Sequence, residues 1–322
     1  MKIEEKNIKM WSIIGSRAAF GVAALEIAKK NKNLITLTCD VSTSAGLDRY
    51  RKTLPDQYLD LGIAEQNMIG VAAGLASENF DIITATFAPF QTMRCCEQIK
   101  VNIGYMKQNI CMVGLASGLV LGPLGYTHCC IEDIGVLRNI AGLTIISPAD
   151  SLETVKALFE SVNSKKPTYI RLTGSSNNPI VYKEDYEFKI GKSITLNKGK
   201  DITIFSSGAM VYQCLEAAKL IEKKGLSCKI VNMHTIKPID SLSIDLACKE
   251  SKLIVTVEEH NVIGGLGSAI AEHKATIKNS PKMLILGIKD TYGKSGSYNF
   301  LKEKHRLTPL LIVEDILKNY LK

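Results

Sequence analysis

The sequence predicts an α/β protein with two doubly wound domains, each built on a mainly parallel sheet. Short apolar runs rich in Ile, Val and Thr alternate with longer segments of helical periodicity, a pattern typical of strands connected by helices. The alternation stops once, between residues 174 and 192, where Gly, Asn and Pro turn residues accumulate. A chain of 322 residues is too long for one ordinary core and long enough for two. We therefore predict a first domain over residues 1–185 and a second over residues 190–322.

In the first domain, apolar runs predict strands at residues 34–38, 81–86, 109–113, 143–147 and 168–172. Helical periodicity predicts helices at residues 16–30, 65–77, 92–102, 133–139 and 151–161. The last of these has a typical helix start, because Asp150 and Ser151 can cap the first turn and Glu153 follows them.

The second domain repeats the alternation on a smaller scale. Strands are predicted at residues 202–206, 229–231, 253–257 and 284–287. Helices are predicted at residues 211–224, 266–274 and 309–321. Strands that alternate with helices along the chain form parallel sheets, so the second domain is expected to belong to the same fold class.

Composition excludes several classes of function. The net charge of +8 is spread along the chain without a dense Lys/Arg block, so we expect no nucleic-acid partner. No apolar run approaches the length of a membrane span, and the first residues do not resemble a signal peptide. The nine cysteines include two adjacent pairs and no C-x-x-C, which disfavours a metal site or a disulfide framework. We expect a cytoplasmic protein with reduced thiols and no membrane partner.

The segment LGIAEQNMIGVAAGLA, residues 61–76, contains the first candidate for chemistry. Glu65 follows a strand-like apolar approach and opens a helix of small residues. A lone glutamate in a first helical turn is most often a solvated acid that complements the helix dipole. On residue context alone, that structural interpretation is favoured over a catalytic one.

Four segments, in order along the chain, change this interpretation. GIAEQNMIGVAAGLA resembles the glutamate motif of transketolases and deoxyxylulose-phosphate synthases, and TFAPFQTMR (86–94) resembles their aromatic pocket. GYTHCCIEDIGVLRNIAGLTIISPAD (125–150) is similar to their histidine loop with the following helix and strand, and EEHNVIGGLGSAIAE (258–272) to their C-terminal domain. The resemblance covers nearly the whole chain and implies a pyrimidine-binding domain followed by a transketolase C-terminal domain.

The resemblance implies that the cofactor is thiamine diphosphate. Glu65 would bond to the pyrimidine ring of the cofactor, and Phe87 and Phe90 would pack against that ring. Met93 would lie near the same pocket, at a position where relatives carry another ring. His128 would relay a proton or donate a hydrogen bond to the developing oxyanion.

By the same resemblance, three residues would hold a sugar phosphate. These are Arg17 in GSRAAF, Ser44 in CDVSTS and Arg171 in PTYIRLTG. Guanidinium groups and a hydroxyl suit a phosphate because they donate several charge-assisted hydrogen bonds.

Two positions depart from the transketolase pattern on the side of the donor substrate. Leu124 stands where transketolases carry an acidic residue, and Ala116 stands where they carry a histidine. Both changes remove hydrogen bonds that recognise a polyhydroxylated donor, so we expect altered donor specificity. A less hydroxylated sugar or a 2-oxo acid would fit such a site.

The sequence also lacks the family's motif for the cofactor's diphosphate and Mg2+. No Gly-Asp-Gly occurs in the chain, and we interpret Gly264-Gly265-Leu266-Gly267 as a turn into a helix. The resemblance then implies that a separate N-terminal subunit supplies these ligands, in an assembly with two copies of each subunit. We predict no metal ligands on this chain and no activity without that partner.

Two other functions stay open. The beta subunit of a 2-oxo acid dehydrogenase has a similar length, the same two domains and the same need for an alpha subunit. The glutamate motif and the Tyr-Thr-His loop favour a transketolase, whereas Leu124 fits this alternative. A non-catalytic scaffold subunit is disfavoured because Glu65, both phenylalanines and His128 are present together.

Overall fold

The computed structural model describes residues 3–320. The outer ends of both predicted domains, and Leu321 at the end of the last predicted helix, lie outside the described residues. The strands are β1 (Leu34–Thr38), β2 (Tyr58–Asp60), β3 (Asp81–Phe87), β4 (Ile110–Leu115), β5 (Thr144–Ile146), β6 (Thr168–Arg171), β7 (Ile194–Asn197), β8 (Ile202–Ser206), β9 (Cys228–Asn232), β10 (Thr235–Lys237), β11 (Leu253–Asn261) and β12 (Lys282–Ile288). The α-helices are α1 (Glu5–Ala28), α2 (Asp48–Thr53), α3 (Glu65–Ser77), α4 (Ala88–Gln91), α5 (Cys96–Gln98), α6 (Asp133–Leu137), α7 (Ser151–Ser164), α8 (Met210–Glu222), α9 (Ser241–Glu250), α10 (Leu266–Lys274), α11 (Tyr298–Lys304) and α12 (Pro309–Tyr320).

Within residues 3–320 the strands form two sheets, which confirms the predicted fold class. The first has the order β10-β5-β6-β4-β3-β1-β2, and every pair in it except β10 with β5 is parallel. Ile82 and Ile83 are neighbours on β3 but belong to separate apolar clusters. Because successive strand residues point to opposite faces, the first sheet is covered on both sides, as in a doubly wound fold.

The second sheet has the order β12-β11-β8-β9-β7. Only β7 is antiparallel to its neighbour among these five described strands. The predicted strand at residues 202–206 and the predicted helix at 266–274 match β8 and α10. The mainly parallel arrangement follows from the helices that connect successive strands.

Helix α1 is longer than predicted and is interrupted at Gly15. The backbone there has φ 81° and ψ 169°, so the predicted helix at 16–30 corresponds to the second part of α1. A Cβ atom at Gly15 would lie 2.7 Å from the carbonyl oxygen of Ser175. Glycine therefore permits both the left-handed backbone and the close approach of the segment that follows β6. The interruption makes Ser16 the start of a second helical part, with Arg17 in its first turn.

The prediction that no segment reaches the length of a membrane span missed α1. Among the described residues, α1 is long and apolar enough to cross a membrane by length and composition. More than half of its most apolar stretch is buried inside the fold, and α1 packs against α7. Burial against other helices gives a core helix the same apolar composition.

The predicted helix at residues 92–102 was wrong in its bounds and in its regularity. The chain instead forms α4, α5 and a π-helical turn over Ile99–Tyr105. Pro89 fits the first turn of a helix, which therefore begins before residue 92. The Thr92 hydroxyl donates a hydrogen bond to the carbonyl oxygen of Ala88 at 2.7 Å, and such bonds compete with regular helix geometry.

Strand β10 connects the two halves of the chain. It follows β9 of the second sheet but pairs antiparallel with β5, at the edge of the first sheet. Lys237 of β10 donates hydrogen bonds to the carbonyl oxygens of Arg138 and Ile140, after α6. The sequence did not predict β10, because a three-residue strand has no detectable period and its partner strand belongs to the other half of the chain.

Candidate active site

The candidate residues gather at one edge of the first sheet. Its parallel strands end at the same edge, where Glu65 begins α3 after β2, Phe87 ends β3 and Arg171 ends β6. The order in which strands are added to the sheet reverses at β1, because β2 lies on one side of β1 and β3 on the other. Ligands of open α/β sheets bind beyond the carboxyl ends of the strands at such a switch point.

Glu65 is buried at the start of α3, with 3% of its surface exposed. Its Oε2 atom accepts a hydrogen bond at 2.7 Å from Nη1 of Arg94, with which it forms an ion pair. Residue context alone favoured a solvated acid that complements the helix dipole. Such an acid would be exposed, so this interpretation does not describe Glu65.

Arg94 connects Glu65 to the predicted aromatic pocket. The centre of its guanidinium lies over the Phe90 ring, 4.1 Å from the ring centroid. The Phe90 ring also meets the His128 ring edge to face, with 5.5 Å between centroids. Glu65, Phe90 and His128, predicted from separate motifs, are thus brought together. Sequence reasoning missed Arg94 although it directly follows Met93, because an isolated arginine is most often a surface residue.

The other predicted site residues differ in their exposure. Phe87 is half-buried against the core of the first domain, and Met93 is 44% exposed. Leu124 is 57% exposed in the loop that carries His128. Ala116 is fully buried with φ 52°, so it presents no surface to a substrate, and its predicted place on the donor side of the site does not fit this position.

His128 lies in the loop that connects β4 to α6. Its backbone N–H donates to the carbonyl oxygen of Gly125 at 3.0 Å, and its Nδ1 lies 3.0 Å from the Thr127 hydroxyl. The half-buried ring has its edge-to-face contact with Phe90 on one side. The hydrogen bonds lie within the loop, so the position of the imidazole depends on the position of the loop.

Arg17 and Ser44, two of the residues predicted to hold a sugar phosphate, lie close together. Nη1 of Arg17 donates to the backbone carbonyl oxygen of Ser44 at 3.4 Å. Burial lowers the pKa of the Arg17 guanidinium, so a nearby anion would stabilise its charged form.

Arg171 occupies a different environment from the one predicted. It is buried, and its Nε atom donates to both carboxylate oxygens of Asp133 at 2.8 and 2.9 Å. Its Nη2 atom donates to the carbonyl oxygens of Cys130 and Glu259 at 3.1 and 3.0 Å. The predicted phosphate contact of Arg171 does not fit this arrangement, because the side chain is buried and its Nε and Nη2 atoms already donate to protein groups.

Thiols and carboxylates near the site do not supply a metal centre. In the described part of the chain, no group of three His, Cys, Asp or Glu side chains could hold a metal ion. Burial raises the pKa of Cys39 to about 11 and that of Cys95 to about 12, and the nearby Glu65 carboxylate adds to both shifts. These thiols therefore stay neutral near pH 7 and are poor nucleophiles.

Comparisons with known families match both halves of the chain. The family model of the transketolase pyrimidine binding domain matches residues 13–178, and that of the transketolase C-terminal domain matches residues 191–312. The first match includes Glu65, Phe90 and His128.

Individual relatives match most of the chain. One subunit of an apulose-4-phosphate transketolase from Phocaeicola vulgatus is 36% identical, over 87% of this chain and 89% of that protein. A putative transketolase C-terminal section from Methanocaldococcus jannaschii is 35% identical, over 94% of this chain and 96% of that one. A 6-deoxy-6-sulfo-D-fructose transketolase subunit from Clostridium sp. is 36% identical, over 90% of this chain and 89% of that one.

Solved transketolase structures superimpose on most of the chain. One described as a split gene transketolase, inactive beta4 tetramer, superimposes with a TM-score of 0.87 at 34% identity, covering 95% of this chain and 98% of that one. A transketolase from Campylobacter jejuni shares the fold at 22% identity and a TM-score of 0.78, with 95% of this chain spanning 46% of that one. With both domains matched over most of its length, the chain belongs to the transketolase family.

Proposed function

We propose that the chain is the C-terminal subunit of a split, thiamine-diphosphate-dependent transketolase that transfers a two-carbon ketol unit from a ketose donor to an aldose acceptor. One observation carries the proposal: the buried Glu65 carboxylate, the Phe90 ring and His128 form one continuous group at the carboxyl edge of the sheet. Both family models and the relatives named as transketolase subunits support it.

The Arg94 contact supports a pyrimidine ring at this place. A guanidinium is planar, donates N–H groups and stacks on aromatic faces. Arg94 uses these properties to bond Glu65 and cover the Phe90 ring. An aminopyrimidine has the same planar shape and N–H groups, so Glu65 and Phe90 offer the chemistry that the cofactor's ring requires.

When bound, thiamine diphosphate supplies the nucleophilic carbon and stabilises the two-carbon fragment after cleavage. The chain's own residues would bind and orient the ring: Glu65 through its carboxylate, and Phe87 and Phe90 through their faces. His128 would donate a proton or a hydrogen bond to the donor oxygen.

The ligands of Mg2+ and of the cofactor's diphosphate would belong to an N-terminal partner subunit. The chain contains no Gly-Asp-Gly, and residues 3–320 contain no group of three potential metal-binding side chains. The name "inactive beta4 tetramer" of the similar structure describes a tetramer of one type of subunit without activity. We infer by analogy a cytoplasmic enzyme with two copies of each subunit.

The donor would be an unusual ketose with fewer hydroxyl groups for the site to recognise. Leu124 offers an exposed apolar surface in the His128 loop where an acid would bind hydroxyl groups. Arg17 and Ser44 would bind the donor's phosphate without Arg171. Relatives are named for apulose 4-phosphate and for 6-deoxy-6-sulfo-D-fructose, which supports a donor other than xylulose 5-phosphate.

Calorimetric titration of thiamine diphosphate with Mg2+ tests the proposal, first on this chain alone and then with the N-terminal subunit. We expect binding only in the mixture, and its loss in Glu65→Gln but not in Glu78→Gln, which changes an exposed acid at the end of the same helix. Tight binding to the chain alone would contradict the shared site. A donor screen on the loaded mixture then separates ketoses from 2-oxo acids.

A further inference from the structure

The loop that carries His128 is closed at its base by the first domain. It spans residues 116–130 and is called the His128 loop below. Gly118 and Cys130 exchange two backbone hydrogen bonds, of 2.7 and 3.0 Å, across the base. The Ser117 N–H donates to the carbonyl oxygen of Leu172, beside the first sheet, at 2.8 Å. The loop therefore begins and ends in the first domain.

The apolar side chains of the loop pack elsewhere, in the core of the second domain. Leu119 and Cys129 are buried, with 0% and 3% of their surfaces exposed. They belong to one apolar cluster with Met210, Val257 and Leu301 of the second domain. The second domain therefore provides the surface on which the His128 loop lies.

Glu259 of β11 holds the start of the loop. Its Oε1 atom accepts a hydrogen bond from the Leu119 N–H at 2.6 Å, and its Oε2 atom accepts one from the Tyr298 hydroxyl at 2.7 Å. A Cβ atom at Gly118, where φ is 73°, would lie 2.3 Å from Oε1. The carboxylate is thus fitted against the backbone of the loop, with Tyr298 holding it from the other side.

The outer part of the loop has further contacts with the second domain. The hydroxyl of Tyr126 lies 2.6 Å from Nε2 of His305, and its ring meets the ring of Tyr292 edge to face at 5.7 Å. The Gly296 N–H donates to the carbonyl oxygen of Gly122 at 3.1 Å. These contacts hold the segment between Gly122 and Tyr126, which contains Leu124.

We propose that Glu259 and His305 are positioning residues, through which the second domain places His128 and Leu124 on the donor side of the active site. Within residues 3–320, the hydrogen bonds of His128 lie inside the loop, and its ring meets the Phe90 ring edge to face. Its position therefore depends on how the loop is held, and a displacement of about 1 Å can impair a catalytic site strongly. The effect on turnover rests on the proposed transketolase function, whereas the effect on loop order does not.

Hydrogen–deuterium exchange on the chain alone tests loop order. Tyr298→Phe removes the hydroxyl that holds Glu259, and His305→Ala removes the contact with Tyr126. We expect the amides of residues 119–128 to exchange about tenfold faster in each variant, while those of α3 and β4 stay unchanged. Lys304→Ala, an exposed change directly before His305, is the matched control. Unchanged exchange of the loop in both variants would overturn the proposal.

Kinetics of the chain with its N-terminal subunit test the consequence for the reaction. We expect each variant to raise the donor KM by about tenfold, with little change in the acceptor KM or in the Kd of thiamine diphosphate. Equal changes in all three constants would indicate a general structural defect and contradict positioning. If the wild-type mixture turns over no ketose donor, the proposed function fails, and the exchange measurement alone decides whether the second domain positions the loop.

Discussion

At the scale of single residues, His234 shows how burial changes protonation in this chain. The residue is fully buried between β9 and β10, where its ring lies 4.3 Å from the Phe188 ring. Its Nδ1 atom lies 2.9 Å from the Thr235 hydroxyl. Burial lowers the pKa of His234 from 6.5 to about 4. The imidazole is therefore neutral in the folded chain throughout the physiological pH range.

This shift predicts a loss of stability on acidification. Between pH 6.5 and 4 the unfolded chain binds a proton at His234 and the folded chain does not, so the free energy of unfolding falls as the pH decreases. From pH 7 to pH 5 the loss at this site is roughly 2 kcal/mol. Urea unfolding of wild type and His234→Gln at both pH values measures it. If both proteins lose the same stability, His234 is not the source.

The active-site residues differ in how far the sequence reveals them. Glu65, Phe90 and His128 stand in recognisable motifs, so their roles were predictable before their proximity was known. Arg94 and Glu259 act through contacts between distant segments, which no local pattern records. Arg171 shows the opposite case. Its position in a motif predicted a contact with the substrate's phosphate, whereas its side chain bonds to the carboxylate of Asp133 in α6.

At the scale of elements, α7 is tied to the turn-rich linker, residues 174–192, by the acid at its start. Asp150 accepts a hydrogen bond from the Glu153 N–H at 2.8 Å, which confirms the helix start predicted from sequence. Its second oxygen accepts bonds from the backbone N–H groups of Val181 and Tyr182, at 2.9 and 3.0 Å. One carboxylate therefore fixes both the helix and the turn-rich segment that contains Val181 and Tyr182.

Asp150→Ala should cost more than the loss of an ordinary helix cap. It leaves two further amides without their partner, so we expect a loss of about 3 kcal/mol in the free energy of unfolding. Ser297→Ala is the matched comparison, because Ser297 caps α11 through the Phe300 N–H and is expected to contribute about 1 kcal/mol. Equal losses in urea unfolding would mean that the linker bonds contribute nothing.

Elements with strong local patterns were predictable, and those that depend on distant partners were not. The predicted helix at residues 65–77 has the bounds of α3, since its period and its boundaries are both clear in the sequence. Strand β10 was missed because its formation depends on the open edge of β5. The irregular segment after Phe87 was predicted as a regular helix because side-chain bonds such as that of Thr92 are invisible to periodicity.

At the scale of the whole molecule, the Arg171 cluster joins the two domains. Arg171 ends β6 of the first sheet, pairs with the buried Asp133, and donates to the carbonyl oxygen of Glu259 on β11 of the second sheet. Together with β10, it links the two sheets by contacts that are removed from water. The two domains are therefore expected to unfold together.

Arg171→Met should destabilise the whole chain, because it leaves the Asp133 carboxylate buried without its guanidinium partner. We expect a loss of about 3–5 kcal/mol in the free energy of unfolding. The double variant Arg171→Met/Asp133→Leu should regain part of that loss, since it removes the unpaired charge as well. Calorimetric unfolding of the three proteins provides the measurement. A stable Arg171→Met chain with a raised donor KM would instead restore the phosphate-binding role.

The ion pair between Arg94 and Glu65 has a consequence for how the cofactor is acquired. The guanidinium is attached to the same chain as the carboxylate, so its local concentration stays high whatever the cofactor supply. On the proposed function, thiamine diphosphate enters as a competitor of a tethered ligand that already occupies Glu65 and Phe90. The subunit would then need a higher cofactor concentration for loading than a site with the same residues that lacked the Arg94 contact.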